Sequence, residues 1–242
     1  MYWKRRPTGL SNPNRIPELD VARGICVTGM ILIHLIYDVA ELYPLLVLPD
    51  PRLYRFLKEQ GGAVFFLLSG ISAVLGRRHL RRGLTVLGCA LAVSLATALF
   101  GAPVRFGTLH CLGTCMLCWA VFRRMSTPSL LTFGGLFAAL GPVFAAKTVP
   151  LPFLYPLGLT APGFSSADFF PLLPFLGYFL LGAALGRKRY AGRRSLLPQL
   201  SFSSVPARML RFCGRHSLPL YLIHQPVLIF LIEASCFLGG FP

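Results

Sequence analysis

The sequence predicts an all-α fold: a polytopic bundle of membrane helices with a cytoplasmic N-terminus. Three observations lead there. Of the 242 residues, 55% are hydrophobic and only 13% are charged, with a mean hydropathy of +0.64; a soluble domain of this length needs far more polar surface. The apolar residues fall into runs near the length that a bilayer core requires. The 24 Lys and Arg residues are distributed unevenly between those runs, as they are when positive charge is retained on the cytoplasmic side.

The apolar runs define seven spans, roughly 20–40, 61–76, 84–101, 107–122, 129–146, 168–186 and 217–238. With the N-terminus inside, 19 basic residues lie inside. They fall in the N-terminal arm, at Arg23 near the start of span one, at Arg77, Arg78, Arg81 and Arg82, at Arg123 and Arg124, and between spans six and seven. The other 5, Arg52, Arg55, Lys58, Arg105 and Lys147, lie outside. The formal net charge of +16 is thereby explained by topology and by attraction to anionic membrane lipids, and nucleic acid is not an expected partner.

In chain order, a polar cytoplasmic arm (1–17) precedes one integral domain (18–242), and span one reads as an uncleaved signal anchor. The first outer loop, 41–60, contains LPDPRLYRFLKEQ and suggests a short interfacial helix. Residues 147–167, KTVPLPFLYPLGLTAPGFSSA, are apolar but too rich in Pro and Gly for a straight helix; they suit the outer interface or a dip back into protein. The basic, Ser-rich loop 187–216 reads mostly as a tether. Internal repeats are not evident. The seven cysteines are odd in number and lie mostly within spans or on the inner side, which implies no disulfide framework.

The chemistry is concentrated in span one, ELDVARGICVTGMILIHLIYD. Ionisable groups are costly in hydrocarbon, so His34 and Asp38 within this run form a functional-site hypothesis. They are four residues apart, on one helix face, and an imidazole beside a carboxylate suits a general base. At about 1.5 Å per residue, His34 lies roughly 20 Å beyond Val21, past the midplane. Arg105, His110 and Asp168 flank the outer ends of spans four and six. Asp20, Arg23, His216 and, about 10 Å up span seven, His224 form an inner layer. Two layers suit a reaction that draws one substrate from each side.

Plainer readings stand beside these. His34 could glue helices together, Asp20 and Arg23 could be helix-start chemistry, and Arg105 and Asp168 could reach headgroups. The Cys111, Cys115 and Cys118 face in HCLGTCMLC invites a metal, but structural zinc sites draw ligands from loops or several elements; no metal is expected. Ser69, Gly70 and Ser72 in FFLLSGISAVLG suit close helix packing.

Taken in order, ELDVARGICVTGMILIHLIYD, VFFLLSGISAVLG, VRFGTLHCLG, ADFFPLLPFLGYFLLGAALG and GRHSLPLYLIHQPV resemble the heparan-alpha-glucosaminide N-acetyltransferase catalytic-domain family in its short bacterial form, within the broader membrane acyltransferases. The resemblance runs from Glu18 to about Val227. It implies a multi-pass plasma-membrane enzyme that takes acetyl-CoA from the cytoplasm and acylates an acceptor, such as a sugar or glycan, across the membrane. By position His34 matches the catalytic histidine that ends the first span in sugar O-acetylating relatives. The lysosomal enzyme instead has its histidine in the loop after span one, and 41–60 here contains none.

The expected mechanism has His34, steadied by Asp38, removing a proton from the acceptor as it attacks the thioester. Arg23 and the inner arginines would attract CoA phosphates, and Arg105 or His110 would orient the acceptor or meet oxyanion charge. The alternative is a small proton-coupled transporter or a solute- or lipid-binding membrane protein, since His/Asp pairs also relay protons.

Overall fold

The computed structural model describes residues 15–43 and 50–239. Most of the N-terminal arm, with Lys4, Arg5 and Arg6, and residues 44–49 of the first outer loop lie outside the described residues. The fold is helical throughout, with isolated β-bridges at Phe106–Phe169 and Thr148–Thr160. Helix α1 (Pro17–Tyr37) starts with Pro17 in its first turn and has Glu18 and Asp20 there, where the helix dipole favours acids. It continues as a π-helical turn, Asp38–Leu42. Helix α2 (Pro51–Leu75) is capped by Asp50, which accepts from the Arg52 N–H at 2.8 Å. The expected interfacial helix and span two are therefore a single helix. Gly61 and Gly62 do not break it, and Gly62 lies against the rings of Phe170 and Phe175, where a Cβ would crowd them.

The remaining helices are α3 (His79–Leu99), α4 (Thr108–Phe122), α5 (Thr127–Ala145), α6 (Leu172–Arg189), α7 (Val205–Arg215) and α8 (Ser217–Gly239). A 3₁₀ turn at Pro152–Leu157 belongs to the Pro-rich segment. That segment folds back on α4: Tyr155 meets Phe106 and stacks on Phe164, which in turn meets Phe169.

Helix α6 is the centre of the bundle, packed against α2, α5 and α4, with Phe179, Leu180 and Ala183 fully buried. Small residues permit that approach. A Cβ on Gly70 of α2 would collide with the Phe179 carbonyl, and one on Gly182 of α6 would collide with the Leu67 carbonyl. Helix backbones approach this closely in membranes only through such positions. Cys111 and Cys115 are fully buried beside Phe66 and Phe179 and act as small apolar residues.

Among the described residues four helices, α1 with its extension, α3, α5 and α8, are long and apolar enough to cross a membrane. The other expected spans are helical but have shorter apolar stretches. They are α2, α4 and α6, which carry half of the buried described residues and are shielded by protein. The outer helices expose apolar faces: Leu84, Leu91, Leu95 and Leu99 line α3, and Val227, Phe230 and Leu231 lie on α8 opposite buried Leu228 and Ile232. Such faces suit lipid.

Part of the segment 187–216 is packed: residues 191–204 are irregular and largely exposed, but Val205–Arg215 form a helix. Its α7 lies on α1 so closely that Gly214 leaves no room for a Cβ beside Asp20, nor Gly24 beside Leu210. Glu18 supplies the anchor: its carboxylate accepts from Ser195 Oγ and from the Leu196 N–H, both at 2.8 Å. Arg193 donates to the Leu75 carbonyl. These contacts gather the start of α1 and the ends of α2 and α6 at one end of the bundle, which carries most of the arginines.

Replacing Gly182 by Val is expected to destabilise the detergent-solubilised protein by about 3 kcal/mol, the upper range for overpacking. Gly29→Ala, where a Cβ meets nothing within 4 Å, is expected to be neutral or to stabilise slightly. Thermal unfolding of the two variants checks this; equal melting temperatures would refute the packing role of α6.

Candidate active site at the junction of four helices

Helix α4 begins at Gly107, which offers no side-chain cap. The cap comes instead from 60 residues away: Asp168 Oδ2 accepts from the Thr108 N–H at 2.9 Å and from its Oγ1 at 3.1 Å. A carboxylate there satisfies an orphan donor and suits the helix dipole. Pairing of the flanking backbone, Phe170 N–H to the Phe106 carbonyl at 2.9 Å, sets the register. Gly107 is required because a Cβ would strike that carboxylate. Asp168 also accepts from the Tyr221 hydroxyl of α8 at 3.3 Å and pairs with Lys58 of α2 at 3.5 Å. One buried acid thus joins α2, α4 and α8.

Tyr221 leads to the histidines. Its ring centroid is 5.4 Å from that of His224, and His224 meets His34 of α1 edge-on at 4.8 Å. The two helices run in parallel, since Asp20 contacts Arg215, His34 contacts His224, Asp38 contacts Gln225 and Tyr43 contacts Glu233. His224 was expected in an inner layer apart from His34; the structure joins them. The reason is that the stretch from Arg215 to Gln225 lies against the longer stretch from Asp20 to Asp38, so counting residues from the inner end of each helix does not give their relative depth.

Both imidazoles are fixed in the same tautomer. His34 Nδ1 donates to the Met30 carbonyl at 2.9 Å and His224 Nδ1 to the Tyr221 carbonyl at 2.6 Å. A carbonyl only accepts, so each neutral ring keeps its lone pair at Nε2. His224 is 8% exposed, and its Nε2 is buried with no hydrogen-bond partner among the described residues. His34 is half-buried and the more accessible base. His34 and Asp38 share a helix face as expected but are bonded to different partners, His34 Nδ1 to its own helix and Asp38 to α8. Asp38, fully buried, is held by Gln225 Nε2 at 2.8 and 2.9 Å.

The other sequence candidates lie elsewhere. Asp20 gathers Arg15 at 3.6 Å, Arg23 at 3.7 Å and Arg215 at 3.1 Å, and Arg23 also donates to Ser72. His216 is exposed at the α7–α8 junction, bonded to the Phe212 carbonyl. Arg105 lies over the Phe164 ring at 5.6 Å. His110 is buried beside Ser94, with Nε2 to Oγ at 3.3 Å; since the Ser94 hydroxyl donates to the Val104 carbonyl, Nε2 of His110 is the donor. Ser69 and Ser72 donate to carbonyls of their own helix. No group of three or more His, Cys, Asp or Glu able to hold a metal exists among the described residues.

Sequence reasoning missed Tyr221, Gln225, Lys58 and Thr108 as members of the cluster. Tyr221 and Gln225 carried a signal, being three residues before and one after His224 in YLIHQP. Lys58 carried none, since only folding brings it to Asp168.

Because Asp38 depends on Gln225, Gln225→Leu is expected to destabilise the protein by about 2 kcal/mol, leaving a buried carboxylate unpaired. The double variant Asp38→Leu/Gln225→Leu should recover part of that loss. Unfolding measurements on the full cycle test it; strictly additive losses would show that the pair is not coupled.

No curated protein and no solved structure matches this chain. A family model does: heparan-alpha-glucosaminide N-acetyltransferase, catalytic, matches residues 15–226, a range that holds all four buried acids, both clustered histidines, Tyr221 and Gln225. On that match, which covers most of its length, the chain belongs to the heparan-alpha-glucosaminide N-acetyltransferase catalytic family of membrane acetyltransferases.

Proposed function

We propose that the protein moves an acetyl group from cytoplasmic acyl-CoA to a hydroxyl or amine of a sugar-like acceptor at the outer face of a bacterial plasma membrane. The observation that carries this reading is the pair of imidazoles in edge-on contact, His224 buried and His34 half-buried, both presenting Nε2, with a carboxylate held beside them. Family membership supports acetyl transfer. The crowding of arginines at one end of the bundle supports a cytoplasmic N-terminus by the positive-inside rule, and with it seven crossings, the arm 1–17 inside and 18–242 as one integral domain.

In this mechanism His34 Nε2 takes the proton from the acceptor O–H or N–H as that atom bonds to the thioester carbonyl carbon. The tetrahedral intermediate collapses, the C–S bond breaks, and the CoA thiolate leaves and takes up the proton from the imidazolium. Asp38, oriented by Gln225, supplies negative charge beside His34 while the ring holds that proton. His224 Nε2 accepts from a second hydroxyl of the acceptor and orients it. Asp168 acts as a positioning residue, through Tyr221 and Lys58. Asp20 and Arg23 assemble the basic end. Arg105, on Phe164, and His110, on Ser94, have no hydrogen bond or ring contact with the histidine pair and are left out of the chemistry.

Acetyl-CoA in excess of its dissociation constant is expected to raise the melting temperature of the purified protein, by about 2.7 kcal/mol of stabilisation at 100-fold excess, whereas free acetate should not. His34→Ala is expected to keep that stabilisation while lowering acetyl transfer to a panel of sugars by about 10²- to 10⁴-fold, the span of general-base contributions. Full turnover by His34→Ala would remove His34 from the mechanism. Absence of any shift with acetyl-CoA or longer acyl-CoAs, together with proton flux in proteoliposomes, would replace this reading by proton-coupled transport.

A further inference from the structure

At the arginine-rich end, a cavity of about 580 Å³ opens between the last turns of α2 and α4, the start of α3 at His79 and the end of α6 at Arg187. Its size lies within the ~300–1,000 Å³ typical of small-molecule sites. Among the described residues four arginines line it, Arg77, Arg123, Arg124 and Arg187, and no carboxylate does. Arg187 is committed to structure: it donates to the Met125 and Arg123 carbonyls and lies over the Trp119 ring at 5.3 Å. It thereby braces the turn that presents the next two arginines. Arg77, Arg123 and Arg124 are exposed and form no ion pair among the described residues, unlike Arg15, Arg23 and Arg215, which share Asp20.

Guanidinium groups converging without a counter-charge repel one another, and their planar donor forks match phosphate oxygens. The cavity therefore suits a polyanion. Helix α4 runs from this cavity to the active-site cluster: Trp119 lines the cavity, whereas Thr108 touches Asp168. An offset of 11 residues from Thr108 to Trp119 separates the two by about 17 Å at ~1.5 Å per residue. A ligand that occupies both ends needs a multiply phosphorylated head and a long uncharged arm ending in a reactive group, and an acyl-CoA has that form.

We infer that this cavity seats the phosphates of the acyl donor, with Arg77, Arg123 and Arg124 as their ligands. The inference rests on the acyl-CoA reading above. Anionic lipid headgroups share the phosphate chemistry, so the test must separate the two sources.

The experiment is binding of acetyl-CoA and of adenosine 3′,5′-bisphosphate to the full chain in nanodiscs of neutral phosphatidylcholine and, separately, of phosphatidylglycerol. The variants are Arg123→Gln/Arg124→Gln and, as a charge-matched control at the opposite end, Arg52→Gln/Arg55→Gln. The Arg123/Arg124 variant is expected to weaken both ligands at least tenfold in neutral nanodiscs, with the control unchanged. Equal binding by that variant and a wild type that does bind acetyl-CoA would overturn the phosphate site and leave the acyltransferase reading standing. A wild type that binds neither ligand would overturn both. A difference confined to phosphatidylglycerol nanodiscs would assign the cavity to lipid headgroups and overturn the inference.

Discussion

A carboxylate inside a membrane protein must be met by donors that the protein itself supplies, and this requirement shapes the molecule. Four of its eight acidic residues, Glu18, Asp20, Asp38 and Asp168, are buried. Each draws its donors from elsewhere in the chain: Glu18 from Ser195 and Leu196, Asp20 from Arg215, Asp38 from Gln225, and Asp168 from Lys58, Thr108 and Tyr221. Water cannot substitute in hydrocarbon, so every one of these acids fixes the relation between two or more elements. Removing a single donor would leave a charge whose desolvation is no longer offset.

The four acids divide the labour. Glu18 and Asp20 assemble the arginine-rich end, pulling α7 and its preceding segment onto α1. Asp38 and Asp168 organise the other cluster, where α1, α2, α4 and α8 converge. Between these ends lies a core held by close packing of α6 against its neighbours, with Phe66, Phe179, Leu180 and Cys111 buried. This core has no buried acid, consistent with polar groups being confined to places where several helices can serve them. The histidine pair inherits its geometry from that scheme: His34 comes on the helix that carries Asp38, His224 on the helix that carries Gln225 and Tyr221.

The two imidazoles also show how backbone hydrogen bonds prepare chemistry. Each Nδ1–H is bonded to the carbonyl of a residue three or four positions earlier on its own helix, so no second residue is needed to choose the tautomer. That arrangement leaves Asp38 available as a nearby charge held by Gln225. It differs from a chain of hydrogen-bonded acid and base, because the Asp38 carboxylate is bonded by Gln225 and each ring by its own helix.

The sequence by itself determined the helical membrane class, the family and the bounds of most apolar helices to within a few residues, although α2 begins at Pro51, well before the expected span, and it drew attention to His34, Asp38, Asp168 and His224. These are local properties: hydropathy along the chain, the cost of an ionisable residue in an apolar run, and the order of motifs. What only the tertiary structure decided was partnership. The i,i+4 spacing of His34 and Asp38 fixed a shared face but not that Met30 and Gln225 would take their hydrogen bonds. The basic composition of 187–216 suggested a tether, and it was the packing of α7 on α1, through Gly214 and Gly24, that the local sequence did not reveal. Lys58 gave no sign that it would reach Asp168, 110 positions away. Such pairings depend on which helices become neighbours, and that choice is made by the backbone approach that glycines such as Gly70 and Gly182 allow, a constraint that exists only between helices.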